Sequence, residues 1–247
     1  MPDRAGPAVV AIFGPTGIGK TAVAIALGEL LRARGECPVA VSADALQVYR
    51  GLGTLTGAAT EGERAQLEHR LIGFVPVEET FSVGDYMRLA HAEVDGLLRD
   101  GRRPIVVGGT GLYLRAALAE LSFERPPTGE GSELWSVETR HPTLLCGLVM
   151  ERTALYERIE ERVDAIVAAG AEAEVRAAHA AGASRTSRKA LGFRELLEGD
   201  VAGLKRRTRN YARRQLTWMR KMPGLLTIDV TGRAPSQVAG EIAASLP

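Results

Sequence analysis

Long apolar runs are missing from this chain of 247 residues. Lys20, Arg32 and Arg34 interrupt the first hydrophobic region well short of the ~18 residues that a bilayer span requires, which excludes a membrane helix there. Met1 to Pro7 holds one arginine and no apolar signal core, so a cytoplasmic location is expected. Net charge is almost absent too: 31 Lys and Arg oppose 30 Asp and Glu, which excludes both a polybasic tail and an acidic solvating chain. Cysteine is scarce. Cys37 and Cys146 lie far apart in apolar, strand-like segments and are expected to be free buried thiols that form no metal site. No internal repeat is present. What remains is ordinary globular composition, 45% hydrophobic and 25% charged, in a chain long enough to bury a sizeable core.

The small total charge conceals a local excess. Between Ser184 and Lys221 there are 12 basic residues against Glu195, Glu198 and Asp200. Such a cluster suits a polyanionic partner, although a solvated helix face pairing with acids elsewhere would have the same composition.

Hydrophobic patterning alternates between strand and helix. Ala8 to Phe13 reads as a buried strand, Thr21 to Arg34 as a helix, Cys37 to Ser42 as a strand, and Val83 to Arg99 as a helix with Ser82 as cap and Asp85 as its box partner. Pro104 to Val107, Leu144 to Val149 and Leu225 to Val230 read as further strands, and Leu112 to Ala119 and Pro235 to Ser245 as helices. The stretch from Glu151 to Lys221 is largely helical in pattern. This order predicts an α/β fold: a parallel sheet with helices on both faces and a basic, helical C-terminal part. Pro126, Pro127, Gly129 and Gly131 mark the one composition break. The expected organisation is one compact domain, with a core over 1–121, a connection over 122–143 and the rest of the core over 144–247.

Gly14, Pro15, Thr16, Gly17, Ile18, Gly19, Lys20 and Thr21 satisfy the P-loop pattern directly after a strand and at the start of a helix. Glycines let successive N–H groups and the helix N-terminus face phosphate oxygens, Lys20 adds a full charge, and the Thr21 hydroxyl suits Mg²⁺. ATP-hydrolysing members of this class usually place an aspartate after a second apolar strand. Here Ile105-Val106-Val107 runs into Gly108-Gly109-Thr110. The acid at a strand end is instead Asp44, and the carboxyl ends of the strands are where such sheets bind ligands.

Several spaced segments, in order along the chain, resemble the tRNA dimethylallyltransferases (tRNA isopentenyltransferases) and their adenylate-using relatives. These are Gly14 to Thr21, Ser42-Ala43-Asp44 with Gln47 to Gly51, the PIVVGGTGLY of Pro104 to Tyr113, Leu155 to Ile159 with Arg162-Val163-Asp164, Ala190 to Leu196, and Arg213 to Trp218. The resemblance implies transfer of a dimethylallyl group from dimethylallyl diphosphate to N6 of an adenine beside the anticodon, so that the P-loop grips a leaving diphosphate. Asp44 matches the family's base, and Thr110 and Arg162 complete the implied catalytic set. Asp44, Ala45, Leu46 and Gln47 would meet the tRNA base, and Mg²⁺ would sit on Thr21. A monomer acting on the anticodon stem-loop, with no membrane partner, is expected.

Read from the residues alone, three of these positions keep alternatives. Arg162 could pair locally with Glu157, Glu160 or Glu161, Thr110 could cap the following helix, and Arg158 is left without a role. In the helix over Leu204 to Lys221, Leu204, Tyr211 and Trp218 form one stripe and Arg206, Arg213 and Arg220 another. The first is expected to pack on the sheet and the second to lie against RNA phosphates. Departures from the family pattern are also visible: Ala45 replaces a serine, Gly53 to Gly57 reads GTLTG where a lysine and a proline are usual, His69 to Gly73 reads HRLIG, and the connection over 122–143 stands where a long helical insertion is usual. A free adenylate as acceptor, or a small-molecule kinase on the same loop, are the rival readings.

Overall fold

The computed structural model describes residues 8–122 and 133–246. Part of the 122–143 connection therefore lies outside the described residues. Six parallel strands form one sheet in the order β3-β2-β4-β1-β5-β6: β1 (Val9–Phe13), β2 (Pro38–Ser42), β3 (His69–Arg70), β4 (Arg103–Gly108), β5 (Thr143–Val149) and β6 (Leu226–Asp229). In the central strand β1 the apolar residues Val9 to Phe13 are all buried. Val9, Ala11 and Phe13 enter the core on one face, while Val10 and Ile12 enter the core on the other. This is the alternation of a strand covered on both sides.

Helix α1 (Lys20–Ala33) and helix α10 (Pro235–Ala244) cover one face, and α4 (Val83–Arg99) and α5 (Gly111–Leu118) cover the other. Leu27 and Leu31 of α1 have no exposed surface, and burying each such side chain is worth roughly 1.5–3 kcal/mol. The Ser82 cap of α4 is as expected: Ser82 accepts from the Asp85 amide at 3.1 Å while Asp85 accepts from the Ser82 amide at 3.2 Å. Between β2 and α4 lie α2 (Gly53–Thr56), α3 (Glu61–Gln66) and β3, none of which the sequence pattern announced. The four-residue α2 is too short to hold itself. The Glu174 carboxylate stabilises it by accepting from the Thr54 and Leu55 amides, both at 2.9 Å.

The helical C-terminal part is α6 (Arg152–Ala168), α7 (Ala171–Ala180), α8 (Phe193–Glu198) and α9 (Val201–Met219). Asp200 caps α9 through the Gly203 amide at 2.7 Å. Leu204, Thr208, Ala212, Gln215 and Met219 form the buried face of α9. Glu160 and Asp164 of α6 pair with Arg209 and Lys205 of α9, and buried Glu195 pairs with Arg207. Three of the basic residues are thus matched by acids of neighbouring elements. Cys37 departs from expectation: it is exposed, because it lies in the connection just before β2 instead of belonging to the strand.

Candidate active site

Because β1 lies between β4 and β5, the chain leaves it for one half of the sheet and later crosses to the other. Its carboxyl end is therefore the topological switch point where a crevice opens. The P-loop stands there. Gly19 begins α1 with φ 95°, a left-handed conformation that glycine adopts without a Cβ clash. A Cβ on Gly17, at φ 83°, would also come within 2.9 Å of Ile159 of α6. The Lys20 ammonium folds under the loop and donates to the carbonyls of Gly14 (2.9 Å) and Pro15 (3.0 Å). Burial lowers its pKa from 10.5 to about 8, while the charge of Asp44 opposes that shift and Arg162 adds to it. Lys20, Asp44 and Arg162, brought from α1, β2 and α6, therefore share one electrostatic neighbourhood.

Asp44 follows the end of β2, and its Oδ1 accepts from the Leu46 amide at 2.9 Å, forming an Asx turn. The second carboxylate oxygen has no hydrogen-bond partner among the described residues. Gln47 turns inward: it meets the Ser42 hydroxyl at 2.9 Å and donates to the Gly57 carbonyl at 3.2 Å, so it ties the loop carrying Asp44 to the segment after α2. Ala45 and Leu46 are partly exposed beside it. Tyr86, fully buried, donates to the Ser42 carbonyl at 2.9 Å. Burial first, then Tyr113 and Asp44, push its hydroxyl far above the usual tyrosine range.

Arg162 makes none of the local ion pairs open to it. Glu160 is taken by Arg209, and Arg162 instead reaches the Thr56 carbonyl at 3.2 Å. Burial lowers its pKa, against the opposing charges of Asp44 and Glu63. Its path runs over Gly57, where an ideal Cβ would stand 1.9 Å from Nη2. Glycine at 57 is therefore what admits the guanidinium. Arg158 lies outside the loop, 3.4 Å from the Ile18 carbonyl.

Thr110 occupies the cap position of α5, yet its side chain makes no capping bond. Its hydroxyl faces that of Tyr211 at 3.3 Å. Tyr211 departs here from the packing stripe expected of it, since its hydroxyl joins the site. Burial, followed by the charge of Asp44, raises its pKa to about 12. Trp218 does pack: its ring rests where a Cβ on Gly111 would be, and it meets Trp135 at 4.7 Å. Leu204 is buried as expected. Sequence reasoning assigned nothing to Gln215, which is 5% exposed. Its Oε1 accepts from the Thr16 amide at 2.9 Å and its Nε2 donates to the Gly109 carbonyl at 2.7 Å.

The second stripe of α9 faces outward. Arg206, Arg213 and Arg220 are exposed; Arg206 lies 3.6 Å from Asp200, and Arg213 donates to Asn210 at 2.7 Å. Among the described residues, neither Arg213 nor Arg220 pairs with an acid.

A model of the IPP transferase family matches residues 47–142 and 128–222. The chain belongs to that family. Its relatives include a tRNA dimethylallyltransferase of Pelobacter propionicus, 31% identical over 93% of this chain and 94% of the relative, and one of Salinispora arenicola, 33% identical over 91% of this chain and 83% of the relative. The solved tRNA isopentenylpyrophosphate transferase of Bacillus halodurans superimposes with a TM-score of 0.82 at 27% identity, covering 96% of each chain. The Pelobacter alignment extends over 297 positions although this chain has 247 residues, so at least 50 positions of the relative face no residue here. The two stretches matched by the family model overlap at 128–142, within the short connection.

Proposed function

We propose that this chain transfers a dimethylallyl group from dimethylallyl diphosphate to the exocyclic N6 of an adenine in tRNA, next to the anticodon. The observation that carries this reading is the convergence of Lys20, Asp44 and Arg162 at the mouth of a P-loop, with Thr110 beside them. The adenine amine is a poor nucleophile because its lone pair is delocalised into the ring. The free oxygen of Asp44 orients that amine and accepts its proton as nitrogen bonds to the allylic carbon. The allylic C–O bond breaks in the same event, and the electron pair leaves with the diphosphate. Lys20, the loop amides and Arg162 meet the growing charge, which is larger in the transition state than in the bound donor.

Thr21 fits a magnesium ion. It stands at the start of α1 and its hydroxyl has no hydrogen bond among the described residues, and one neutral oxygen beside phosphate and water suits Mg²⁺, which keeps much of its hydration. When bound, the ion would neutralise diphosphate charge. The Thr21 hydroxyl would hold it, and Lys20 and Arg162 would supply the remaining positive charge.

The exposed arginines of α9 favour RNA as the acceptor over free adenylate. Arg213 and Arg220 would each neutralise a backbone phosphate and so fix register without reading sequence. Arg213→Ala is expected to weaken tRNA binding about equally across tRNA sequences and to reduce the slope of log K against log[salt] by up to ~0.9. Filter binding at several salt concentrations measures this, and an unchanged slope would remove Arg213 from the interface. A compact cytoplasmic monomer, with the short connection in place of a clasp on the stem-loop, completes the proposal.

Lys20 sets the pH dependence of the phosphate site. Inorganic diphosphate should bind with proton uptake above pH 8, where the free lysine has lost its proton, and should bind more weakly as pH rises further. Stability moves the other way. The folded pKa of about 8 lies below the ordinary 10.5, so the unfolded chain holds the extra proton in that window and folding gains stability from pH 8 toward 10.5. Calorimetry in buffers of different ionisation enthalpy, beside thermal unfolding of wild type and Lys20→Met, checks both signs.

The function itself is tested by incubating the protein with labelled dimethylallyl diphosphate and either total tRNA or AMP. Label in tRNA is the expected result. Label in AMP alone would replace tRNA by a free nucleotide, and label in neither would overturn the proposal.

A further inference from the structure

Helix α9 carries an exposed arginine stripe on one side, and on the other the buried Gln215 and the half-buried Tyr211 face the P-loop and the Gly-Gly-Thr turn. The orientation of the second pair is determined by what each partner can do. The Thr16 amide is only a donor and the Gly109 carbonyl only an acceptor, so the Gln215 amide has one possible orientation: Oε1 toward Thr16 at 2.9 Å and Nε2 toward Gly109 at 2.7 Å. The Gly109 carbonyl held by Gln215 belongs to the residue just before Thr110, so Gln215 fixes the turn from which the Thr110 hydroxyl projects. That hydroxyl lies 3.3 Å from the Tyr211 oxygen. Either group can donate, and in the arrangement inferred below the donor is Tyr211. With its oxygen accepting from Tyr211, the Thr110 hydroxyl has no acceptor of its own among the described residues, and its hydrogen is left for a ligand.

We infer that Gln215 and Tyr211 are positioning residues which turn the Thr110 hydroxyl into a directed hydrogen-bond donor to the bridging oxygen of the leaving diphosphate. This rests on the prenyl-transfer reading above. No proton changes owner along the chain. Each O–H or N–H remains with its atom, and the bonds strengthen as the C–O bond breaks and charge collects on the oxygen. Burial and the nearby Asp44 charge hold the Tyr211 pKa at about 12, so its hydroxyl stays protonated, and hence a donor, through the neutral range. The same residues join the helix that would hold RNA to both loops that would hold the donor, since one amide bonds Thr16 of the P-loop and Gly109 of the Gly-Gly-Thr turn.

The test is a double-substitution cycle read as kcat and KM with labelled dimethylallyl diphosphate and tRNA. Tyr211→Phe keeps the ring and removes only the hydroxyl. It should lower kcat about tenfold, the rate equivalent of one neutral hydrogen bond, with KM for both substrates and affinity for inorganic diphosphate unchanged. In a Thr110→Ala background the same substitution should have no further effect, and in a Thr110→Ser background the tenfold loss should return. A structural role for Tyr211 would lower activity in all three backgrounds. An active wild type with unaffected Tyr211→Phe, or with effects that multiply in the Thr110→Ala background, overturns the relay and leaves prenyl transfer standing. A wild type that labels neither tRNA nor AMP overturns both.

Discussion

Asp44→Ala is expected to lower the rate of prenyl transfer by about 10²–10⁴-fold, the range for loss of a positioned general base, while leaving donor binding nearly intact near pH 6.5. Affinity should survive because the only hydrogen bond of Asp44 among the described residues goes to the Leu46 amide, outside the phosphate loop. Single-turnover assays with saturating donor separate the two effects. The substitution has a second, electrostatic consequence. Asp44 raises the Lys20 pKa against the effect of burial, so its removal should shift the pH above which diphosphate binding weakens to below 8. Asp44→Asn preserves the acceptor for Leu46 and should show the same rate loss and the same downward shift. Turnover close to wild type in either variant would remove Asp44 from the reaction.

Arg162→Ala should cost about 10²–10³-fold in kcat, the scale for removing one donor aimed at developing charge, with a smaller change in KM because that charge is only partly present in the bound donor. Gly57 provides an independent approach to the same group. A Cβ there would stand 1.9 Å from Nη2 of Arg162, and residue 57 has φ 60° and ψ 46°, a conformation that costs a residue with a Cβ roughly 1–2 kcal/mol. Gly57→Ala should therefore displace the guanidinium and reproduce much of the Arg162→Ala defect, and the double variant should be no slower than Arg162→Ala alone. Full turnover in Gly57→Ala would mean that the observed path of Arg162 is not the working one. Glycine at this position is a departure from the family pattern, in a segment that has also lost the family's lysine.

Much of the architecture could be read from residue order. The apolar strands, the helix-length spacers between them and the glycine loop after β1 are local signals, and local signals survive folding. The Ser82 cap with Asp85 is of the same kind. What escaped was held by distant partners. Strand β3 is two residues, His69 and Arg70, paired to Ala40 and Val41, and no periodicity exists over two residues. Helix α2 depends on the carboxylate of Glu174, 120 residues from Thr54. Cys37 sits in an apolar segment by sequence but one residue before the strand by structure, a boundary that composition does not mark.

The candidate site divides along the same line. Gly14 to Thr21 and Asp44 were legible because a phosphate loop and a strand-end acid each have chemistry that their immediate neighbours define. For Arg162 and Thr110 the residues alone allowed an ion pair or a helix cap, and the outcome fell to contacts across the fold, which give Glu160 to Arg209 and turn the Thr110 hydroxyl toward Tyr211. Tyr211 read only as part of a packing stripe and Gln215 only as part of a family-like segment, and nothing local announced the hydrogen bonds that either makes. On a helical wheel both belong to the side that meets the sheet, and whether a side chain there ends in packing or in a hydrogen bond depends on which backbone atoms the sheet presents. Residue order alone was enough for the parallel α/β order, the phosphate loop, the acid beside it and the two-sided basic helix, since these follow from spacing of residue types over one or two turns or strands. Which arginine lies over Gly57, and which hydroxyl faces Tyr211, depended on contacts separated by more than 100 residues, and such contacts exist only once the sheet has brought its strand ends together.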